Sequence, residues 1–272
     1  PKRDWSSDVC SSDLSTETML LAIDTGNTQT VIGLFDGTEL ADHWRIATAA
    51  ERTSDELALM IQQFLGFHGF SFDDQIHGVA VCSGVPRITA SLRDMTRRYF
   101  GFDALVVEPG VRTGMPILYD NPKEVGADRI ADAVAAYEKY GGPTVVVDFG
   151  TANTIEAISE KGEYLGGAIF PGIEVSLDAL FGRAAALRRV ELVAPRNVIG
   201  KSTVESIQSG TIYGFSGQVD AMVERFRAEI GDCSVIATGG LAELIIPHSR
   251  TIEHYEPWLT LEGLRIIWER NR

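Results

Sequence analysis

Residues 23–30 read IDTGNTQT, and residues 147–154 read VDFGTANT. The two strings align without a gap, 124 positions apart, as apolar-Asp-x-Gly followed by Asn and Thr. Each follows a short apolar run, residues 20–23 in one copy and 145–147 in the other. Each leads into a second strand-like stretch that closes on a glycine turn, VIGLFDGTEL and IEAISEKGEYL. A strand, a tight turn and a second strand therefore open two related halves of the chain, an internal duplication.

Between the copies, strand and helix patterns alternate. TSDELALMIQQFL places Leu57, Met60, Ile61 and Phe64 at helical spacing behind a Thr53/Glu56 capping box. IHGVAVCSGVP reads as a buried strand, RITASLRDMTRRYF as a helix with Ile88, Leu92, Met95 and Tyr99 on one face, and ALVVEPG as a short strand. Arg87, Arg93, Arg97 and Arg98 read as the solvated face of that helix. A stretch rich in Gly, Pro and turn residues, GVRTGMPILYDNPKEVGADR, then runs into an amphipathic helix over about 127–140. The junction is placed here, giving halves at 19–125 and 126–272. The second half is expected to hold the loop GGAIFPGI, a long helix from the Ser202/Glu205 capping box through Ile230, the strand SVIATGG and a closing helix LEGLRIIWER.

Composition narrows the function. A chain of 272 residues with 44% hydrophobic side chains can build two cores, and no stretch approaches the ~20 apolar residues of a membrane span. A net charge of −14 repels phosphate backbones and anionic membranes, so neither nucleic acid nor a membrane is expected as a partner. Cys10, Cys82 and Cys233 are too scattered for a metal knuckle, and a reducing cytoplasm suits them. The five histidines, His43, His68, His77, His248 and His254, show no metal spacing either. Residues 1–18 lack the apolar segment of a signal peptide, and RDWSSDVCSSDL resembles translated adapter sequence. They are expected to be a non-native or disordered tail, with Met19 as the start.

The repeated string has a chemistry. Gly26 and Gly150 permit a tight turn and close backbone approach to a ligand. Asn27, Thr28 and Thr30 in one copy, and Thr151, Asn153 and Thr154 in the other, offer donors suited to phosphate oxygens. Asp24 and Asp148 cannot face a phosphate directly and make sense beside one only through a cation. For a single copy, plain turn chemistry would be the better reading. Two copies facing across a cleft would grip a polyphosphate from both sides. No GxxxxGK[ST] or GxGxxG is present.

This pairing resembles the phosphate loops of the acetate and sugar kinase, Hsp70 and actin superfamily. The resemblance implies an α/β fold of duplicated actin-like (ribonuclease H-like) domains, each a mixed sheet with flanking helices, around an ATP cleft. Thr238, Gly239 and Gly240 then resemble the adenosine loop. YDNPKEVGADRIADAVAAYEKYG, taken with DTGNT, DFGTANT and GGAIFPG, closely resembles the type III pantothenate kinases over residues 19–268. No Cys-rich zinc loop of the sugar-kinase repressors is present.

The family resemblance implies phosphorylation of pantothenate by ATP with Mg²⁺ and a monovalent cation, K⁺ or NH₄⁺. It assigns proton acceptance to Asp128, and substrate contacts to Tyr119, Gly126, Ala127, Asp128, Arg129 and Thr203. ATP contacts fall on Asp24, Thr25, Gly26, Asn27, Thr28, Gln29, Thr30, Val31 and Thr151, and the monovalent cation on Asp148. It also implies a homodimer. On the residues alone, Asp128 could equally be a helix cap, Arg129 a surface ion-pair partner and Thr203 a helix-start residue. Two rival functions share the cleft: a phosphatase of the exopolyphosphatase branch, and a non-catalytic nucleotide-binding regulatory protein.

Overall fold

The computed structural model describes residues 19–272 except 68, 71–74 and 185. The expectations for residues 1–18 and His68 lie outside the described residues. The chain begins with an antiparallel meander, β1 (Met19–Thr25), β2 (Gln29–Asp36) and β3 (Glu39–Ala47). Helix α1 (Ser54–Phe67) returns the chain to β4 (Ile76–Ser83), which lies parallel to β1. Helix α2 (Pro86–Met95) continues through one π turn, Thr96–Phe100, and precedes β5 (Leu105–Val106). After α3 (Ala127–Tyr140) the plan repeats: β6 (Thr144–Phe149), β7 (Ala152–Ile158), β8 (Tyr164–Pro171), α4 (Ile173–Arg183), α5 (Thr203–Ile230), β9 (Ser234–Thr238), α6 (Ala242–Ile245), β10 (His254–Tyr255) and α7 (Leu259–Glu269).

The strand orders are β3-β2-β1-β4-β5 and β10-β9-β6-β7-β8. Renumbered, they are one order, so β6 stands where β1 stands and β9 where β4 stands. The central strands are apolar on both faces, as strands covered on both sides must be. Leu20, Leu21, Ala22 and Ile23 in β1, and Val145, Val146 and Val147 in β6, are all buried. Edge strand β3 instead alternates exposed and half-buried positions.

Helix starts follow their sequence signals. Thr53 N donates to Glu56 Oε2 at 2.8 Å and Glu56 N to Thr53 Oγ1 at 3.3 Å, closing the capping box ahead of α1. Ser202 Oγ accepts from Glu205 N at 3.2 Å, while Glu205 turns back to Lys201 N at 2.8 Å. Arg87, Arg93, Arg97 and Arg98 pair with Glu51, Glu108, Asp103 and Asp55 on the surface.

Three apolar layers result. One lies outside the first sheet under α1 and α2, and one outside the second sheet under α4, α5 and α6. The third lies between the sheets and is filled by α3 and α7. Gly263 of α7 sits so close to Ala131 of α3 that a side chain there would strike the Ala131 carbonyl. Although α7 follows the second sheet in sequence, it packs on β1, β2 and β4 of the first.

Candidate active site

A central strand that ends between two sheets delivers its last inward side chain to the gap between them. In β1 that residue is Asp24, flanked by Val31 of β2 and Cys82 of β4. In β6 it is Asp148, flanked by Thr154 of β7 and Thr238 of β9. The two carboxylates line one cavity of about 330 Å³. The first half contributes Asp24, Gly26, Asn27, Thr28, Gln29 and Val31, and the second contributes Asp148, Gly150 and Thr151. Asp128 and Arg129, in the first turn of α3, also line it, as do Thr238, Gly239 and Gly240. Gly239 has φ 93° and lies against Asp148 and Phe149, a conformation and a proximity that exclude a side chain. The loops meet across the cleft, where Thr28 Oγ1 and Thr151 Oγ1 are 3.1 Å apart.

The two loops are less alike than their letters. Asp24 faces Val31, seven positions on, whereas Asp148 faces Thr154, six positions on. Gly26 N bonds to Gln29 O at 3.0 Å, and Gly150 N to Ala152 O at 3.2 Å, so the second turn is one residue tighter. Thr154 is thus the counterpart of Val31, and Asn153 the counterpart of Thr30. Both of the latter turn away from the cleft. Thr30 is buried and bonds Thr48 Oγ1 at 2.9 Å. Asn153 is buried with neither amide atom partnered, so the cleft-facing donor expected of it goes to the opposite face. Thr25 is likewise buried, pointing away from the cavity's lining.

Negative charge is concentrated here. Burial raises the Asp24 carboxyl from 3.8 to about 7, against a hydrogen bond from Cys82 Sγ at 3.1 Å and with repulsion from Asp128. Burial, then Asp128 and Asp24, raise Asp148 to about 7 as well. Asp132, one turn beyond Asp128 and hydrogen-bonded to Thr260 at 2.7 Å, is pushed well up by burial and by Asp148. A bound cation would relieve this arrangement. Among the described residues, no three His, Cys, Asp or Glu side chains are grouped so as to hold a metal unaided. A cation in the cleft would therefore draw further ligands from phosphate oxygens and water.

Arg129 is fixed from the second sheet. Its Nε donates to Glu156 Oε1 at 2.6 Å and its Nη2 to Glu156 Oε2 at 2.8 Å, a two-pronged pair in which both side chains are nearly buried. The Tyr164 hydroxyl also donates to Glu156. Tyr119 packs beside Tyr164 with ring centroids 6.4 Å apart, which places it next to this cluster. Glu156 and Tyr164 belong to no motif. The signal for Glu156 is an acid inside the apolar strand TIEAI, which demands a buried partner.

Thr203 lies elsewhere in the chain. It opens α5 and lines a second hollow of about 790 Å³ between α4 and α5, with Ser176, Leu180 and Lys201. Gly126 and Ala127 form the start of α3, Gly126 as its N-cap.

Two sheets of one order, each presenting an Asp-Gly loop to a shared cleft, define a fold of the duplicated actin-like class. Solved structures support the fold. The chain superposes on a putative Baf family transcriptional activator from Campylobacter jejuni with a TM-score of 0.57 at 20% identity, covering 92% of this chain and 98% of that one. It matches an inorganic polyphosphate/ATP-glucomannokinase from Arthrobacter with a TM-score of 0.52 at 13% identity, over 94% and 100%. Sequence comparison is more specific. The type III pantothenate kinase family model matches residues 20–225. A type III pantothenate kinase of Streptomyces griseus is 58% identical over 261 residues, covering 93% of this chain and 98% of that protein. One from Moorella thermoacetica is 55% identical over 254 residues, covering 93% and 100%. The chain belongs to the type III pantothenate kinase family.

Proposed function

We propose that this chain transfers the γ-phosphoryl group of ATP to the primary hydroxyl of pantothenate, giving 4′-phosphopantothenate, the first step of coenzyme A biosynthesis. The observation that carries this reading is the meeting of both Asp-Gly loops with Asp128 and Arg129 in one cavity. Asp128 is exposed to that cavity from the first turn of α3 and accepts the hydroxyl proton as transfer proceeds. The loop backbones and the Thr28 and Thr151 hydroxyls hold the phosphates. Arg129, oriented by Glu156, and Tyr119 position the substrate. A divalent metal belongs to the chemistry of a kinase, and when bound it neutralises phosphate charge. Asp148 is the residue proposed to hold a monovalent cation, K⁺ or NH₄⁺.

A homodimer supplies a reason for the position of Thr203. Leu180, Val198, Ile199 and Val204 are exposed around the second hollow, Ile199 at 81%. Such a patch suits a second copy of the chain, which would bring Thr203 towards the neighbouring cleft. The halves are divided at 125/126, and the enzyme is placed in the cytoplasm. Among the described residues no helix is long and apolar enough to cross a membrane.

The test is phosphate transfer from ATP to pantothenate by the chain starting at Met19, with and without K⁺, beside Asp128→Asn. Pantothenate-dependent ADP release that falls by about 10²–10⁴ in the variant supports the reading. ADP release indifferent to pantothenate would instead favour a hydrolase.

A further inference from the structure

The cleft holds four carboxylates, Asp24, Asp128, Asp148 and Glu174, and two cations, Arg129 and Arg45. Arg129 is committed to Glu156 through two hydrogen bonds. Arg45 forms no ion pair with any described residue. Its position follows from the sheet. Val31 pairs with Asp24 on one side and Arg45 on the other, so the three stand in one row across β1, β2 and β3. Neighbouring strands lie about 4.8 Å apart, which sets the Arg45 backbone about 10 Å from that of Asp24. The flanking residues Trp44 and Ile46 pack into the outer core, so alternation turns Arg45 towards the cleft. Its guanidinium crosses to the other half: a methyl group built on Gly240 would stand 3.2 Å from Arg45 Nη1.

The duplication supplies an internal comparison. The corresponding row of the second sheet is Asp148, Thr154 and Ile169. Ile169 is 61% exposed and carries no charge. A cation therefore occurs at this station in only one half, the half that approaches the Gly239-Gly240 turn.

We propose that Arg45 is a phosphate-binding residue of the nucleotide cleft, whose guanidinium meets polyphosphate oxygens beside the Gly239-Gly240 turn. A polyphosphate entering among four carboxylates needs a protein cation that is not already neutralised, and a planar guanidinium suits phosphate oxygens. The proposal deepens the kinase reading and rests on it.

Equilibrium titration of MgATP without pantothenate, and steady-state titration of each substrate, test it on the full chain beside Arg45→Gln and Arg45→Lys. Arg45→Gln is expected to weaken MgATP binding and raise KM for ATP about ten- to a hundredfold, with KM for pantothenate unchanged. Arg45→Lys should recover part of that loss. Unchanged MgATP affinity in Arg45→Gln overturns the proposal, and so does a parallel rise of both KM values, which would make Arg45 a prop for the turn. Failure of the unaltered chain to bind MgATP would overturn the kinase reading together with it. Sound MgATP binding by that chain without transfer to pantothenate would overturn the substrate assignment alone.

Discussion

The hydroxyl oxygens of Thr28 and Thr151 lie 3.1 Å apart, and there the two Asp-Gly loops touch. Each sits at the tip of a turn made by an Asp-x-Gly segment, and each is exposed. In the proposed kinase, a nucleotide between the loops takes over both hydroxyls. Thr28→Val and Thr151→Val are each expected to raise KM for ATP several-fold. The double variant should fall short of the product of the two effects, because the residues share one partner. A double-mutant cycle on KM for ATP measures this.

Removing the orienting carboxylate should affect the other substrate. Glu156→Gln leaves Arg129 nearly buried beside a neutral amide, a change expected to cost about 3–5 kcal/mol of stability. Tyr164→Phe deletes one hydrogen bond to Glu156 and should cost about 1 kcal/mol. In Tyr164→Phe, KM for pantothenate is expected to rise while KM for ATP holds. Denaturant unfolding and steady-state kinetics separate the two effects.

Stability of the ligand-free protein should fall as pH rises. Asp24 and Asp148 carry folded-state values of about 7 against an ordinary 3.8, so the folded chain binds more protons than the unfolded one between those limits. The stability they contribute is complete below about pH 4 and is lost as pH passes through about 7. Asp220 and Glu56, whose values are lowered, act in the opposite sense, but only below their ordinary 3.8 and 4.5. Melting temperature should therefore decline from about pH 5 to about pH 7.5. Asp24→Asn or Asp148→Asn should flatten that decline, as should Mg²⁺ with ATP. A melting temperature that climbs across this range would contradict the burial argument.

A charge placed in the exposed apolar patch should separate dimer from monomer. If the proposed homodimer forms through this face, Ile199→Glu is expected to halve the mass seen in sedimentation and to raise KM for pantothenate, since Thr203 would no longer reach a neighbouring cleft. The isolated fold should keep its melting temperature, because Ile199 lies on the surface at 81% exposure. An unchanged sedimentation profile would count against this face as the interface.

The duplicated plan was legible because a repeated Asp-x-Gly string and doubly apolar strands leave few alternatives, and both sheets have one strand order. Loop length was not. IDTGNTQT and VDFGTANT align without a gap, and it takes the strand register and the hydrogen bonds at Gly26 and Gly150 to reveal a turn one residue shorter. Hence Thr30 and Asn153, read as donors to a phosphate, face the outer layers. Asp128 and Arg129 stood out through the segment around them. Glu156 and Arg45 did not, because each acts through a neighbour on another strand or in the other half. A charged residue between Trp44 and Ile46 reads as ordinary solvent-facing alternation until the sheet register places it in the row of Asp24.

Helix α7 bears on how the molecule is made. Residues 259–269 cover the inner faces of β1, β2 and β4, where Leu20, Ala22, Phe35, Ala80 and Cys82 are buried. During synthesis on the ribosome, those strands emerge long before the helix that seals them. The nascent first half must wait with this apolar face covered at most in part, by α3, while the whole second sheet is translated, a stage at which chaperones would find their longest opportunity to bind.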